Sequence, residues 1–249
     1  QELLPLYRSL RHLTQETISS ECAKKLKAVL SEAVASGRLE RNLFGLNPIV
    51  HDLHTALIAA REINLRDNSL VAFLLHDAVE SRSVSQEQVE KLFGRDVATI
   101  VHGLVKTTEL YDKNPSIESE NFRDLLLSFA EDMRVIFLMI ADRVCLMRSI
   151  RDTEAREARR KTAQEAAFLY APLAHKLGLY KLKSELEDLS LKYLEPEVYY
   201  DLKEKLNQTK ASRDQYIASF IAPVQKRLEQ AGLSFSIKGR TKSIHSIYN

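Results

Sequence analysis

The segment NFRDLLLSFAEDMRVIFLMIADRVCLMRSI, residues 121–150, constrains this chain more than any other. Its apolar residues recur at helical spacing yet cover several faces, so it reads as one long helix at the centre of a core. A helix that is apolar on several faces needs partners around it, and the rest of the chain supplies helices. Leu, Ala, Glu, Lys and Arg dominate, with only seven glycines and six prolines in 249 residues. That composition predicts an all-α fold and argues against a sandwich or barrel.

Acidic residues inside such segments carry the chemistry. Asp142 lies in the apolar helix as IADRV, and LLHDAVES, residues 74–81, places His76 beside Asp77 among apolar neighbours. Burying such groups costs several kcal/mol, on the order of a lost hydrogen bond or more, unless they are paired or bound to something. His51 precedes His76 by 25 residues. Two imidazoles and two carboxylates form a mixed nitrogen and oxygen donor set suited to Mn²⁺, Fe²⁺ or Zn²⁺. An HD dipeptide alone is weak, since a solvated or salt-bridged pair explains it equally simply. His54, one helical turn from His51, competes as first ligand.

Around these residues the chain reads as successive helices. Helical spacing runs from Glu2 to Ser36, where Gly37 closes it; RNLFGLNPIV is a loop. HDLHTALIAAREI and NSLVAFLLHDAV follow, the second with Asn68 or Ser69 as N-cap, and SVSQEQVEKLFG carries a capping box from Ser85 to Gln88. RDVATIVHGLVKTTEL runs into YDKNPSIESEN, a candidate mobile loop. Beyond the central helix, residues 153–177 and 182–194 are helical. A further helix from Pro196 is expected to bend or break at Pro223. LSFSI then alternates like a strand and GRTKS opens a helix, as if a second, α/β domain began there and were cut off.

Charge and targeting signals narrow the setting. With 36 basic and 34 acidic residues, the net charge of +2 gives no electrostatic argument for nucleic-acid binding. Two cysteines, Cys22 and Cys145, have neither metal-like nor disulfide-like spacing, pointing to a reducing compartment. QELLPLYRSLRHL lacks the apolar core of a signal peptide, and no run of about 18 uninterrupted apolar residues occurs. The expectation is a soluble, cytoplasmic protein without membrane binding, and the ends at Gln1 and Asn249 suggest a segment of a longer chain.

LLHDAVE, FGRDVATIVHGLVK, the segment 120–150 and above all YAPLAHKLGLYKLKSELEDLSLKYLEPEVYY resemble the RelA/SpoT family, whose members make and degrade (p)ppGpp. The resemblance spans roughly residues 40–249. It implies an HD-type hydrolase domain over residues 1–195, a helical connector over 196–232 and the start of a synthetase domain over 233–249. The metal, Mn²⁺ in the family, would be held by His51, His76, Asp77 and Asp142. His51 is preferred to His54 because the pattern fits with one residue inserted before the HD pair. Guanosine tetra- or pentaphosphate would be the substrate. IKGRTKSIHSIY is similar to the family's ATP-binding GRxK element, which places nucleotide contacts on Arg240, Lys242 and Ser246. ATP and GTP would be bound only with the rest of that domain, without which no synthesis is expected. Ribosome association would depend on regions outside this chain.

The chain also departs from the family. Active hydrolases read HDxxED, whereas this chain reads HDAVES: Glu80 fills the first acidic position and Ser81 replaces the second. Both are assigned to the catalytic position, but a serine cannot serve unaided as a general base, and losing such a group costs on the order of 10²–10⁴ in rate. Leu146 stands where the family's ADRLHNMRT has a ribose-binding Asn. In the loop before His51, Arg41 is one residue out of register, and Leu43 and Phe44 replace the family's Lys and Ser. Arg41, Arg148 and Ser149 remain as substrate-binding candidates, and His175 reads as a buried helix histidine or a support of the site. Two functions follow: a (p)ppGpp 3′-pyrophosphohydrolase working slowly, or a degenerate domain that regulates an attached synthetase.

Overall fold

The computed structural model describes residues 3–113, 120–129, 132–239 and 242–248. Among them every regular element is helical. The helices are α1 (Leu3–Thr14), α2 (Ser20–Ala35), α3 (Pro48–Ile58), α4 (Asn68–Glu80), α5 (Gln86–Phe93), α6 (Arg95–Lys113) and α7 (Glu120–Phe129). They continue as α8 (Met133–Ser149), α9 (Arg156–Glu165), α10 (Ala171–Lys176), α11 (Tyr180–Leu194), α12 (Pro196–Gln208), α13 (Lys210–Gln230) and α14 (Ile244–Tyr248). Among the described residues, no helix is long and apolar enough to cross a membrane.

The core forms where the sequence is apolar all round. In α4, Leu70 through Leu75 are buried without interruption, so this helix needs cover on every side. It packs against α3, α6 and α8, with α2 on its flank; α1 covers α3, and α5 covers α6. In α8 the buried residues Val135, Ile136, Leu138, Ile140, Ala141, Val144 and Met147 likewise cover more than one face. Gly103 permits the close approach of α6 to α8, because a Cβ there would lie 2.8 Å from Val135 Cγ2. In contrast, α12 and α13 contribute no buried residue.

Several boundaries differ from the sequence expectation. The long apolar helix is two, α7 and α8, because Asp132 (φ −125°, ψ 119°) leaves helical geometry and accepts a bond from Arg134 N. The N-cap of α4 is Asp67, accepting from Ser69 N, with Asn68 and Ser69 inside the helix. Helix α13 runs through Pro223; the break lies between α12 and α13 at Thr209. LSFSI is no strand: residues 233–237 have no regular structure, and beyond them the described residues form the short helix α14, which begins at Ile244, after GRTKS. A strand needs a partner to satisfy its backbone, and none is present among the described residues. Of the expected mobile loop, Tyr111–Lys113 close α6 and Glu120 opens α7, while 114–119 lie outside the described residues. The capping box from Ser85 to Gln88 is present as expected.

Helix α3 does not stop at Ile58 but continues in a π turn, Ala59–Ile63, ended by Asn64 in the left-handed conformation. A π turn winds in more residues than an α turn. It lies between His51 and His76, the interval where the family pattern calls for one inserted residue.

Candidate metal centre

Three core helices deliver the candidate ligands. Asn47 caps α3 through Val50 N, and Pro48 starts the helix; this sets His51 at the end of its first turn and Asp52 at the start of the second. His76 and Asp77 lie in the last turn and a half of α4, and Asp142 in the middle of α8. His51, Asp52, His76, Asp77 and Asp142 line one cavity of about 540 Å³, together with Arg38, Glu80, Ser81 and Leu146. His54 is exposed and lines a separate cleft with Arg148, Ser149 and Glu62.

The five donors fall into two contacts. His51 Nε2 is 2.7 Å from Asp142 Oδ1. Burial opposes charge on His51, but Asp142 outweighs it, and with Cys145 alongside raises the imidazole pKa to about 11. Burial likewise opposes ionisation of Asp142, yet His51 holds its carboxyl below the usual range. In the second contact, ligand atoms of Asp52, His76 and Asp77 all lie within 4.8 Å of one another. Burial, reinforced by the charge of Asp77, pushes the Asp52 carboxyl well above the usual carboxylate range.

This donor set fits a divalent cation. His76 Nδ1 can only donate to the Phe73 carbonyl it touches. That bond turns Nε2 inward, toward Asp77 Oδ1 at 3.1 Å; orientation of a ligating histidine by a carbonyl is the usual support in metal sites. An imidazole lone pair and a carboxylate oxygen this close repel unless a proton or metal lies between them. Asp52 Oδ2 is buried with no hydrogen-bond partner, a costly state for a carboxyl group that a cation would relieve.

The other sequence candidates are distributed more widely. Glu80 lines the cavity one turn beyond His76. Ser81 C-caps α4, its hydroxyl donating to Ala78 O at 3.3 Å and lying 3.0 Å from Ser83 Oγ. Arg41 donates to Gly45 O within its own loop. Arg148 joins Glu62 and Glu185, and Ser149 Oγ donates to Cys145 O; neither lines the cavity of the five donors. Lys242 just before α14 and Ser246 within it are exposed, and Arg240 lies outside the described residues. His175 is exposed, with its ring edge-on to Tyr180, so it is neither buried nor a support of the site. The sequence reading missed Asp52, although His51–Asp52 is itself an HD dipeptide, and Arg38 at the cavity.

Comparison with known proteins agrees with this architecture. The sequence profile of the HD domain family matches residues 28–180, more than half of the chain. The chain is 32% identical over 244 residues to the bifunctional (p)ppGpp synthase/hydrolase SpoT of Escherichia coli K12, covering 98% of this chain and 34% of that protein. It is 37% identical over 201 residues to a guanosine-3′,5′-bis(diphosphate) 3′-pyrophosphohydrolase of Aquifex aeolicus, covering 80% and 28%. It is 36% identical over 225 residues to a GTP pyrophosphokinase of Myxococcus xanthus, covering 88% and 29%. The chain thus spans about a third of the length of these relatives. A helical core with histidines and aspartates converging from α3, α4 and α8, matched by relatives along nearly its whole length, makes this chain a member of the RelA/SpoT family, corresponding to its HD-domain region.

Proposed function

We propose that this region is a Mn²⁺-dependent phosphohydrolase that removes pyrophosphate from the 3′ position of guanosine tetra- and pentaphosphate, and that it works slowly. The observation behind this reading is the single cavity lined by His51, His76, Asp77 and Asp142. The names of the E. coli and Aquifex relatives support the substrate class. Imidazole with carboxylate suits Mn²⁺, and the absence of thiolate from the set disfavours softer-ion chemistry. When bound, such an ion lowers the pKa of water and offsets charge on the attacked phosphate.

The chain's own residues do the rest. His51 and His76 present nitrogens, while Asp77 and Asp142 compensate the ion's charge. Glu80 is the carboxylate placed to take a proton from the attacking water. Ser81, engaged with Ala78 and Ser83, can orient a water but cannot hold its proton at neutral pH. Arg38 offers a guanidinium to a substrate phosphate at the same cavity. Leu146 offers the ribose no hydrogen bond.

Domain limits follow the same logic. Residues 1–195 carry the buried core; 196–232 form a connector, supported by the lack of buried residues in α12 and α13. Residues 233–249 open a following domain. The free thiols Cys22 and Cys145 support a reducing, cytoplasmic setting.

A second reading, a degenerate domain that regulates an attached synthetase, is favoured by Ser81, by Leu146 and by the printed name of the Myxococcus relative. Hydrolysis of ppGpp with added Mn²⁺ separates the two. The expected result is slow turnover by the parent and a rise of about 10²–10⁴ for Ser81→Asp. No turnover by the parent, with gain by the variant, would leave only the regulatory reading.

A further inference from the structure

We propose that Asp52 is a fifth ligand of the same ion, an inference that rests on the metal-site reading above. Asp52 is 2% exposed, and its Oδ2 has no hydrogen-bond partner. It belongs to the second contact of the site: ligand atoms of Asp52, His76 and Asp77 lie within 4.8 Å of one another. It also lines the cavity with His51 and Asp142. A cation satisfies Asp52, Asp77 and the inward-facing His76 Nε2 together.

The backbone explains why this position can serve. Successive residues on a helix point about 100° apart, so His51 turns toward Asp142 on α8 while Asp52 turns toward the end of α4. The N-terminal end of α3 thereby contributes donors to both contacts. Five donors, three of them carboxylates, exceed the four that a tetrahedral Zn²⁺ site takes and suit a harder ion of higher coordination number. Asp52 is thus a determinant of metal choice as well as of affinity.

The test measures metal binding without turnover. The purified chain, Asp52→Asn, Asp52→Leu and His76→Gln would be titrated with Mn²⁺, free aqua-Mn²⁺ being read by electron paramagnetic resonance, and then with Zn²⁺ in competition. Even residues that only support a ligand change metal affinity by about 10–100-fold, so both Asp52 variants are expected to weaken Mn²⁺ binding at least about tenfold. Zn²⁺ binding should fall less, lowering the Mn²⁺/Zn²⁺ preference. Metal-free melting of Asp52→Leu, which leaves no unpaired polar group, should match or exceed that of the parent, whereas its rise on adding Mn²⁺ should shrink. Parent-like Mn²⁺ affinity in the Asp52 variants with loss in His76→Gln would overturn the assignment of Asp52 alone. Unfolding of both metal-free Asp52 variants would make Asp52 a structural group and overturn it too. No Mn²⁺ binding by the parent would bring down the metal-site reading itself.

Discussion

Two clusters of three aspartates lie in this fold, and they are neutralised in opposite ways. In one, Arg134 contacts Asp67, Asp96 and Asp132 at 3.0, 2.7 and 2.7 Å. Asp67 and Asp132 cap α4 and α8, and Asp96 lies in the first turn of α6. One guanidinium therefore ties together three helix N-termini, each of which already favours a negative charge. In the other cluster, Asp77 and Asp142 meet imidazoles, and Asp52 has an oxygen with no partner. The first cluster is complete as it stands and holds the helices in place. On the metal-site reading proposed above, a cation completes the second, and that would be the difference between a structural and a functional group of carboxylates.

The largest break in that comparison comes from removing a ligand. Asp77→Ala should weaken Mn²⁺ binding by at least about 10²-fold, since even supporting groups cost 10–100-fold, and should remove Mn²⁺-dependent ppGpp hydrolysis. Calorimetric Mn²⁺ titration checks the first outcome and single-turnover hydrolysis the second. Undiminished Mn²⁺ affinity in the variant would mean that the second cluster, like the first, is merely structural.

Arg134→Met should act on the other side of the comparison. It leaves three carboxylates facing one another at the helix ends, but Arg134 is a quarter exposed and its partners are up to half exposed. The loss of stability is then about 1–2 kcal/mol, below the figure for a fully buried pair, read as a lower urea midpoint with unchanged Mn²⁺ affinity. The pH dependence gives a sharper sign. Burial opposes ionisation of Asp67, but its bonds to Ser69 and Arg134 hold its pKa below the usual value; for Asp132 the bond to Arg134 comes first among the causes. Carboxylates depressed in the folded state contribute stability that is present above their unfolded pKa, near 4, and lost as pH falls through the folded values. The parent should therefore lose more stability than Arg134→Met between about pH 5 and pH 2. Parallel stability curves for the two proteins would show that Arg134 does not hold these carboxylates.

Much of this was legible in the sequence, and the exceptions share a cause. The apolar runs gave α4 and α8 their central place because a helix buried on several faces must be apolar on several faces. His76, Asp77 and Asp142 stood out as polar residues within such runs, and His51 by its place in the family pattern. Asp52 did not, though Asp52, Thr55 and Ala56 of α3 and Ala59 of the π turn form one buried face at spacings 3, 4 and 7, a periodicity that marks it as inward-facing. The split at Asp132 was hidden because helical spacing continues on both sides of it; only the cap geometry reveals the break. The Arg134 cluster was illegible for a different reason. Its aspartates come from three separate helix starts, and nothing local brings residues 67, 96 and 132 together.

Arg148 offers the smallest effect and a test of where sequence and structure part. The family resemblance makes it a substrate contact, whereas here Nη1 is 2.8 Å from Glu62 and Nε 2.6 Å from Glu185. Glu62 belongs to the π turn and Glu185 to α11, so Arg148 of α8 ties these two elements together in the manner of Arg134. Its side chain is about one-third exposed, which limits each pair to about 0.2–1 kcal/mol. Arg148→Ala should lower stability by roughly 0.5–1 kcal/mol and leave the KM for ppGpp unchanged, because the side chain lines a cleft other than that of the five donors. Urea melts and steady-state hydrolysis by the Ser81→Asp background check both. A several-fold rise in KM would move Arg148 from the structural cluster to the functional one, and would mean that substrate draws it away from Glu62 and Glu185.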